Sequence, residues 1–192
     1  MRNDEFVEFE ENLLLNNKNL AKLTLTQSQE NIIKRLYLSF NQIDSLPKNM
    51  KELVFIDLSN NKIGSTLPDQ ITEALSSYPN LNQLCLKQNQ LENLNNLQNP
   101  SLQIFQMTQN RFHQFPEQFF TNFPRLQSLD LDHNFLYKFS SQKSETIREL
   151  SLSLNCIETI DLETLNFPQL VSLDLSKNRI TKMPNNFSKS FP

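Results

Sequence analysis

The 192-residue sequence has few of the residues that mark common catalytic and metal sites. It contains one glycine and no tryptophan, and no glycine-rich phosphate loop is present. Its two cysteines, Cys85 and Cys156, are far apart and do not have the spacing of a zinc site or a disulfide framework. No Ser-His-Asp set or H-E-x-x-H string occurs. We therefore predict a protein without enzymatic activity, metal or cofactor.

The sequence also lacks a basic charge excess and long apolar runs. A formal net charge of −3 provides no field for a phosphate backbone, so we predict that nucleic acid is not a partner. No run approaches the roughly 18 apolar residues that a membrane helix needs, and we expect no membrane contact. Residues 1–6 lack the apolar segment of a secretory signal. We therefore expect a cytoplasmic, intracellular location.

What the chain does contain is a string of the form L-x-x-L-x-L-x-x-N-x-L, repeated in steps of 20 to 28 residues. The seven clear copies have their asparagine at Asn41, Asn61, Asn89, Asn110, Asn134, Asn155 and Asn178. An imperfect copy over residues 13–23 has Lys18 at the asparagine position. Repeats at such a period indicate stacked units that share one core, and here they predict about eight coils.

The L-x-L centre of each copy alternates with the period of a half-buried strand, so its apolar residues point to one face and the residues between them to the other. One coil cannot bury its own apolar set. Neighbouring coils must therefore stack their short strands into a parallel sheet. The asparagine suits the turn after each strand because its amide both donates and accepts hydrogen bonds. We predict a ladder of these asparagines along the stack.

This pattern resembles the leucine-rich-repeat family over roughly residues 13–192. The resemblance implies an α/β repeat fold, a curved right-handed solenoid with one short parallel strand per coil, of the intracellular type without cysteine caps. It also implies a protein-binding role, although the fold alone does not choose among the many functions of the family.

Differences in coil length predict what lies on the opposite side of the stack. The 28-residue coil contains an insert, residues 68–78, with apolar residues at helical spacing, and we predict a helix there. We expect helical turns near 116–123 and 162–167. The outer core should contain Phe119, Phe120, Phe123 and Phe167.

The two ends of the stack should differ. Residues 1–12 are predicted to form an N-terminal cap, with Phe6 and Phe9 covering the first coil, and residues 13–192 to form the solenoid. Residues 185–192 match the beginning of another return segment, so we expect the solenoid to end in mid-repeat.

Candidate binding residues are those that point out of the strands, onto the concave face. The early coils present mainly apolar groups there, and the later coils present carboxylates. The first set comprises Leu14, Tyr37, Phe55, Asp57, Cys85 and Ile104, and the second comprises Asp130, Asp132, Glu149 and Asp174. Clustered apolar groups predict a protein contact, and the acidic strip predicts a partner with a basic segment. The alternative interpretation is that scattered surface apolar residues and a solvated acidic face serve no binding role. His113 and His133 are interpreted as ordinary surface residues.

The sequence thus predicts a protein–protein interaction module that binds on its concave face. One alternative is the recognition arm of a larger enzyme, such as a kinase, ubiquitin ligase or cyclase, with a catalytic domain beyond Pro192. Another is a scaffold on the cytoskeleton or cilium. The sequence leaves the oligomeric state open.

Overall fold

The computed structural model describes residues 11–115, 119–140, 142–160 and 165–182. Its strands are β1 (Asn12–Leu14), β2 (Arg35–Tyr37), β3 (Phe55–Asp57), β4 (Gln83–Cys85), β5 (Ile104–Gln106), β6 (Ser128–Asp130), β7 (Lys138–Phe139), β8 (Glu149–Ser151), β9 (Thr159–Ile160) and β10 (Ser172–Asp174). Eight of them form one parallel sheet in the order β1-β2-β3-β4-β5-β6-β8-β10, and β7 pairs with β9. The prediction of a curved solenoid with one short parallel strand per coil is confirmed.

The strands pair without any slip in register, so equivalent residues of each coil lie in continuous columns. The central residues pair from Leu13 and Leu36 through to Leu150 and Leu173. From Leu36 to Leu150 this central column is at most 2% exposed. A shift of one residue would turn every buried side chain outward, and the apolar alternation therefore fixes the register.

The asparagine of each clear repeat bonds its coil to the preceding one. The amide oxygen of Asn61 accepts from the Ile43 N–H at 3.0 Å, and its Nδ2 donates to the Leu38 and Leu58 carbonyls, both at 3.0 Å. The same pattern recurs from Asn41 to Asn178. Backbone groups that the turn leaves unpaired in the core are satisfied in this way.

The residue before each ladder asparagine has a left-handed backbone conformation, with φ between 52° and 57°. These residues are Phe40, Asn60, Gln88, Gln109, His133, Leu154 and Lys177. Left-handed φ costs an L-residue roughly 1–2 kcal/mol, and asparagine tolerates it best among the non-glycine residues. Phe40 and Leu154 are therefore unexpected at this position, and their side chains are 58% and 41% exposed.

The opposite side of the stack contains the predicted helix. Helix α2 spans Asp69–Ser77, begins after Pro68 and buries Ile71, Ala74 and Leu75 completely. Tyr78 follows it, and its hydroxyl donates to the Pro47 carbonyl. The helix prediction for residues 68–78 is confirmed.

Phenylalanines fill the outer core of the later coils, as the sequence predicts. Helix α3 (Phe119–Asn122) supplies two of them, and the rings of Phe105 and Phe123 lie 5.3 Å apart edge to face. Phe139 and Phe167 stack at 6.1 Å. The predicted turn over 162–167 lies partly outside the described residues.

Two elements of the fold are not anticipated by the repeat pattern. Helix α1 (Gln27–Glu30) is a single turn that begins with a capping box between Thr26 and Gln29. The short β7–β9 pair joins two coils by a second, smaller sheet. Asn12, which the prediction assigned to the cap, begins β1, whereas residues 1–10 and 183–192 lie outside the described residues.

Candidate interaction surface

The strand register builds the concave face, defined here as the open face of the eight-stranded sheet. Each strand contributes its first and third residues, on either side of the buried central column. A further outward residue follows two positions after each strand. Of the predicted site residues, Glu149 and Asp174 are exposed, and Tyr37, Phe55, Asp57, Ile104, Asp130 and Asp132 are half-buried.

An aromatic pair occupies the early part of this face. The rings of Tyr37 in β2 and Phe55 in β3 lie 4.9 Å apart at an angle of 45°. Leu14 is the register partner of Tyr37 in the neighbouring strand and is 63% exposed. The fold therefore brings Leu14, Tyr37 and Phe55 together. Ile104 lies two strands beyond Phe55 and is separate from this group.

Phe55 also borders an open depression of about 540 Å³ at the edge of the concave face. Arg35, Val54 and Gln83 contribute to its lining. Lys34 lies there too, but its ammonium group binds the Glu11 carboxylate at 2.5 Å. The depression combines apolar surface with cationic and amide groups.

Cys85 differs from the expectation that it faces water with the other early residues. Its side chain is only 6% exposed, and its Sγ lies 3.0 Å from the Ser59 hydroxyl oxygen. The short side chain is flanked in register by the longer Asp57 and Gln106. Burial raises the pKa of the Cys85 thiol. Cys85 therefore offers little surface to a partner and little thiolate for chemistry.

The carboxylates of the later coils are held by hydrogen bonds. Asp130 accepts from the Thr108 hydroxyl at 2.7 Å, and Asp132 accepts from the Ser151 hydroxyl at 2.5 Å and the Ser153 N–H at 2.8 Å. Burial raises the pKa of the Asp132 carboxyl, and the neighbouring Asp130 and Asp174 charges add to this effect.

The pKa of the Asp174 carboxyl is shifted in the opposite direction to that of Asp132. Its carboxylate accepts from the Ser176 N–H at 2.8 Å. Hydrogen bonds from the backbone and side chain of Ser176 lower the pKa of Asp174. Together with Glu149, these aspartates form the acidic strip, which consists of Asp130, Asp132, Glu149 and Asp174.

The described part of the chain holds no cluster of three or more His, Cys, Asp and Glu side chains that could bind a metal ion. Its helices are all too short or too polar to cross a membrane. The absence of enzymatic activity stays a prediction.

A second exposed surface, missed by the sequence reasoning, lies beside the asparagine ladder. We call it the exit edge and define it as the residues one before, one after and three after each ladder asparagine. On coil six it presents Phe135 and Tyr137, which are 48% and 47% exposed. The His113 ring of coil five stacks on Phe135, with centroids 5.5 Å apart. Gln114 Nε2 donates to the Tyr137 hydroxyl at 2.6 Å.

A signal for the exit edge was present in the sequence. Most coils place polar residues before and after the asparagine, such as Gln88 and Gln90, whereas Phe40, Phe135 and Leu154 are apolar exceptions. The candidate residues were predicted only among those that point out of the strands, so the residues around the asparagine were missed.

Comparisons with known proteins agree with this geometry. The family model described as Leucine Rich Repeat matches residues 52–74 and 169–190, and a second, described as Leucine Rich repeat, matches residues 143–165. Keratocan of Mus musculus is 30% identical over 134 residues, covering 65% of this chain and 38% of keratocan. Receptor-like protein 9b of Arabidopsis thaliana is 33% identical over 120 residues, covering 60% of this chain and 12% of the relative. The chain therefore spans well under half the length of these relatives.

Solved structures also match this chain over most of its length. A leucine-rich-repeat protein of Leptospira interrogans superposes with a TM-score of 0.69 at 26% identity, covering 91% of this chain and 45% of the other. A structure described as a complex of TLR13 with ssRNA13 matches with a TM-score of 0.65 at 25% identity, covering 82% of this chain and 23% of the other. Because of this neighbour, the exclusion of nucleic acid stays a prediction.

The expected cytoplasmic location is wrong. The expectation relied on the absence of an apolar segment at the N-terminus. The matched relatives are instead mostly extracellular-matrix or membrane-receptor proteins, and they include a Toll-like receptor of Gallus gallus. These matches point away from a purely cytoplasmic protein.

Proposed function

Because the chain is a leucine-rich-repeat protein, we propose that it is a protein-binding module whose concave face takes an extended segment of a partner protein. The observation that carries this proposal is the Tyr37–Phe55 pair, two half-buried rings 4.9 Å apart on an open sheet face.

Aromatic side chains at such a position are suited to anchoring a partner. Tyrosine and phenylalanine offer a large apolar area with only two side-chain torsions to immobilise, and aromatic residues often contribute most of the energy of an interface. The contact with Phe55 holds the Tyr37 ring, which reduces the ordering cost of binding. Leu14 extends the apolar surface across the neighbouring strand.

The acidic strip on the same face suggests that the partner segment carries Lys or Arg at a defined distance from its apolar anchor. It begins three strands from Phe55, at Asp130, and ends five strands away, at Asp174. With strands about 4.8 Å apart, these steps span about 14 and 24 Å. An extended peptide advances about 3.4 Å per residue, so the basic residues should follow the apolar anchor by about four to seven positions.

The test selects peptides from a library of random 16-residue sequences displayed on phage, with the wild-type chain as bait. Dissociation constants of the enriched peptides are then measured by fluorescence polarisation against the wild type and a Tyr37→Ala, Phe55→Ala double variant. We expect peptides with an aromatic or aliphatic residue and Lys or Arg at the stated spacing. Loss of both anchors should weaken their binding at least tenfold, about 1.4 kcal/mol.

Salt and a matched variant complete the design. Raising the salt concentration should weaken binding, because the Lys and Arg contacts with the strip are screened. Phe135→Ala, which removes an exposed ring from the exit edge, should leave the affinity unchanged. Peptides that bind the double variant as tightly as the wild type would refute the concave-face proposal.

A further inference from the structure

We propose that the exit edge of coils five to eight is a second protein-binding surface, for an acidic segment with an apolar residue at its centre. This surface is separate from the concave face, and its occupancy does not depend on the function proposed above. Three independent features of the edge support it, namely its apolar centre, its backbone conformation and its charge.

The apolar centre consists of Phe135, Tyr137 and Leu154, all between 41% and 48% exposed. They lie on two adjacent coils, because Phe135 and Tyr137 follow Asn134, and Leu154 precedes Asn155. The His113 ring enlarges the centre by stacking on Phe135 at an interplanar angle of 20°. The centre thus places four apolar or aromatic side chains on three successive coils, whereas single scattered exposed residues would need no explanation.

The conformation of Leu154 is the second feature. It has φ 54° at a position where the other coils, apart from coil two with Phe40, place Asn, Gln, His or Lys. A branched apolar residue is unfavourable in this conformation, and its exposed side chain recovers little burial energy. Residues that break a local structural rule without a gain in packing are found preferentially at functional sites. The position of Leu154 therefore points to a contact with another molecule.

Charge is the third feature, and it identifies the occupant. The residues one after the ladder asparagine are held in register by backbone bonds to the preceding coil, for example Arg111 N–H to Leu91 O at 2.7 Å and Arg179 N–H to Ile157 O at 2.9 Å. The exposed Arg111 therefore lies one coil before Phe135, and the exposed Arg179 lies two coils after it. An apolar centre between two guanidinium groups complements a segment with Asp or Glu on both sides of an apolar residue.

Two further charged residues, Lys177 and Glu158, lie on this part of the edge. Lys177 adds a cation close enough to Asp174 to lower the pKa of that carboxyl, and Glu158 is the acidic residue of the edge in coil seven. The two ion pairs of the described residues, Lys34–Glu11 and Lys48–Glu73, lie elsewhere. Three cations, one of them beside a carboxylate, offer few phosphate contacts in a chain of net charge −3. A protein segment is therefore favoured over a single-stranded nucleic acid.

The test uses the full chain as bait for a library of random 12-residue peptides displayed on phage. Selection is followed by affinity measurements on purified peptides. Two double variants probe the edge: Phe135→Ser with Tyr137→Ser removes the rings, and Arg111→Glu with Arg179→Glu reverses the charge. Tyr37→Ala, on the concave face, is the matched control. Thermal unfolding of each variant shows whether it is folded, and Arg111→Lys with Arg179→Lys is a conservative variant that keeps the charge.

We expect a class of enriched peptides with Asp or Glu around an aromatic or aliphatic residue. Each edge variant should weaken their binding at least tenfold, while Tyr37→Ala and the lysine variant should retain most of it. The absence of such a class, or acidic peptides that bind folded edge variants as tightly as the wild type, would overturn the proposal. So would a fluorescent 20-nucleotide single strand of DNA or RNA that binds the edge more tightly than the peptides. Basic peptides whose binding is lost only in Tyr37→Ala bind the concave face, and finding only such peptides would overturn the proposal of a second surface.

Discussion

The concave face of coils two to five and that of coils six to eight have the same backbone geometry but carry chemically different side chains. The early half exposes part of an aromatic pair, Tyr37 and Phe55, beside a depression lined with cationic and amide groups. The later half exposes carboxylates held by serine and threonine hydroxyls, as at Asp130 and Asp132. In both halves the central residues of the strands are buried, except that Leu173 in the last strand, β10, is half-buried.

This contrast separates the residues that stabilise the fold from the residues that are free to vary. Buried columns and the asparagine ladder repeat almost unchanged from coil to coil, because every coil must stack on its neighbours. The outward columns carry no such constraint. Their side chains can therefore vary along the face and give each part a different partner chemistry.

Truncation of adjacent residues on β5, where the two halves meet, should give the largest difference. Phe105 is fully buried against Phe119 and Phe123, whereas Ile104 is half-buried on the concave face. Phe105→Ala should lower the free energy of unfolding by about 3–5 kcal/mol, because it leaves a cavity. Ile104→Ala should lower it by about 1 kcal/mol or less. Urea unfolding followed by circular dichroism measures both, and equal losses would contradict the division into buried and outward columns.

Removal of ladder asparagines tests whether the two halves share one frame. Asn61 in the early half and Asn155 in the later half make the same set of bonds to their own and the preceding coil. Each replacement by alanine leaves buried backbone groups unpaired and should lower the free energy of unfolding by about 1–3 kcal/mol. The two losses should agree within about 0.5 kcal/mol, a typical surface-mutation effect, and the exposed Gln90→Ala should cost no more than that. A loss at only one of the two sites would show that the frame differs between the halves.

The repeating frame could be predicted from the sequence because it depends on short-range patterns. Alternation around Leu84 and Phe105 fixes which residues are buried, and the helical spacing of Ile71, Ala74 and Leu75 predicts helix α2. The alternation repeats in every clear copy, so each copy strengthens the interpretation of the others, whereas the helical spacing occurs in the insert of one coil.

The surface could be predicted only in part. The register placed Tyr37 and Phe55 in neighbouring coils, but the burial of Cys85 depends on the lengths of side chains that surround it. The stacking of His113 on Phe135 depends on the path of the chain after the asparagine, which the strand pattern does not describe. Contacts between turns of different coils are set by three-dimensional packing, and one sequence holds no periodic signal for them.

A smaller effect on stability is expected directly before the ladder asparagine, where each half has one apolar residue in the left-handed conformation. Phe40 and Leu154 have φ 57° and 54°, and asparagine is better tolerated in this conformation. Phe40→Asn and Leu154→Asn should each raise the free energy of unfolding, by up to about 1 kcal/mol. Asn60→Ala, at the equivalent position, should lower it by a similar amount. Urea unfolding measures all three, and destabilisation by both asparagine variants would mean that Phe40 and Leu154 contribute packing energy to the fold.

The smallest effect is a difference in titration within the acidic strip. Burial raises the pKa of Asp132, so its ionisation reduces stability as the pH rises from about 3.9, the unfolded value, through the folded value. Hydrogen bonds from Ser176 lower the pKa of Asp174, so its contribution is present above about 3.9 and is lost as the pH falls through its folded value. Titration of the carboxyl carbons by NMR should place the Asp132 midpoint above that of Asp174. Ser151→Ala removes a bond that favours the charged form of Asp132 and should raise its midpoint further, while Asp174 changes little. Equal midpoints, or the reverse order, would mean that the strip is uniformly solvated and that the proposed basic segment meets no partly desolvated carboxylate there.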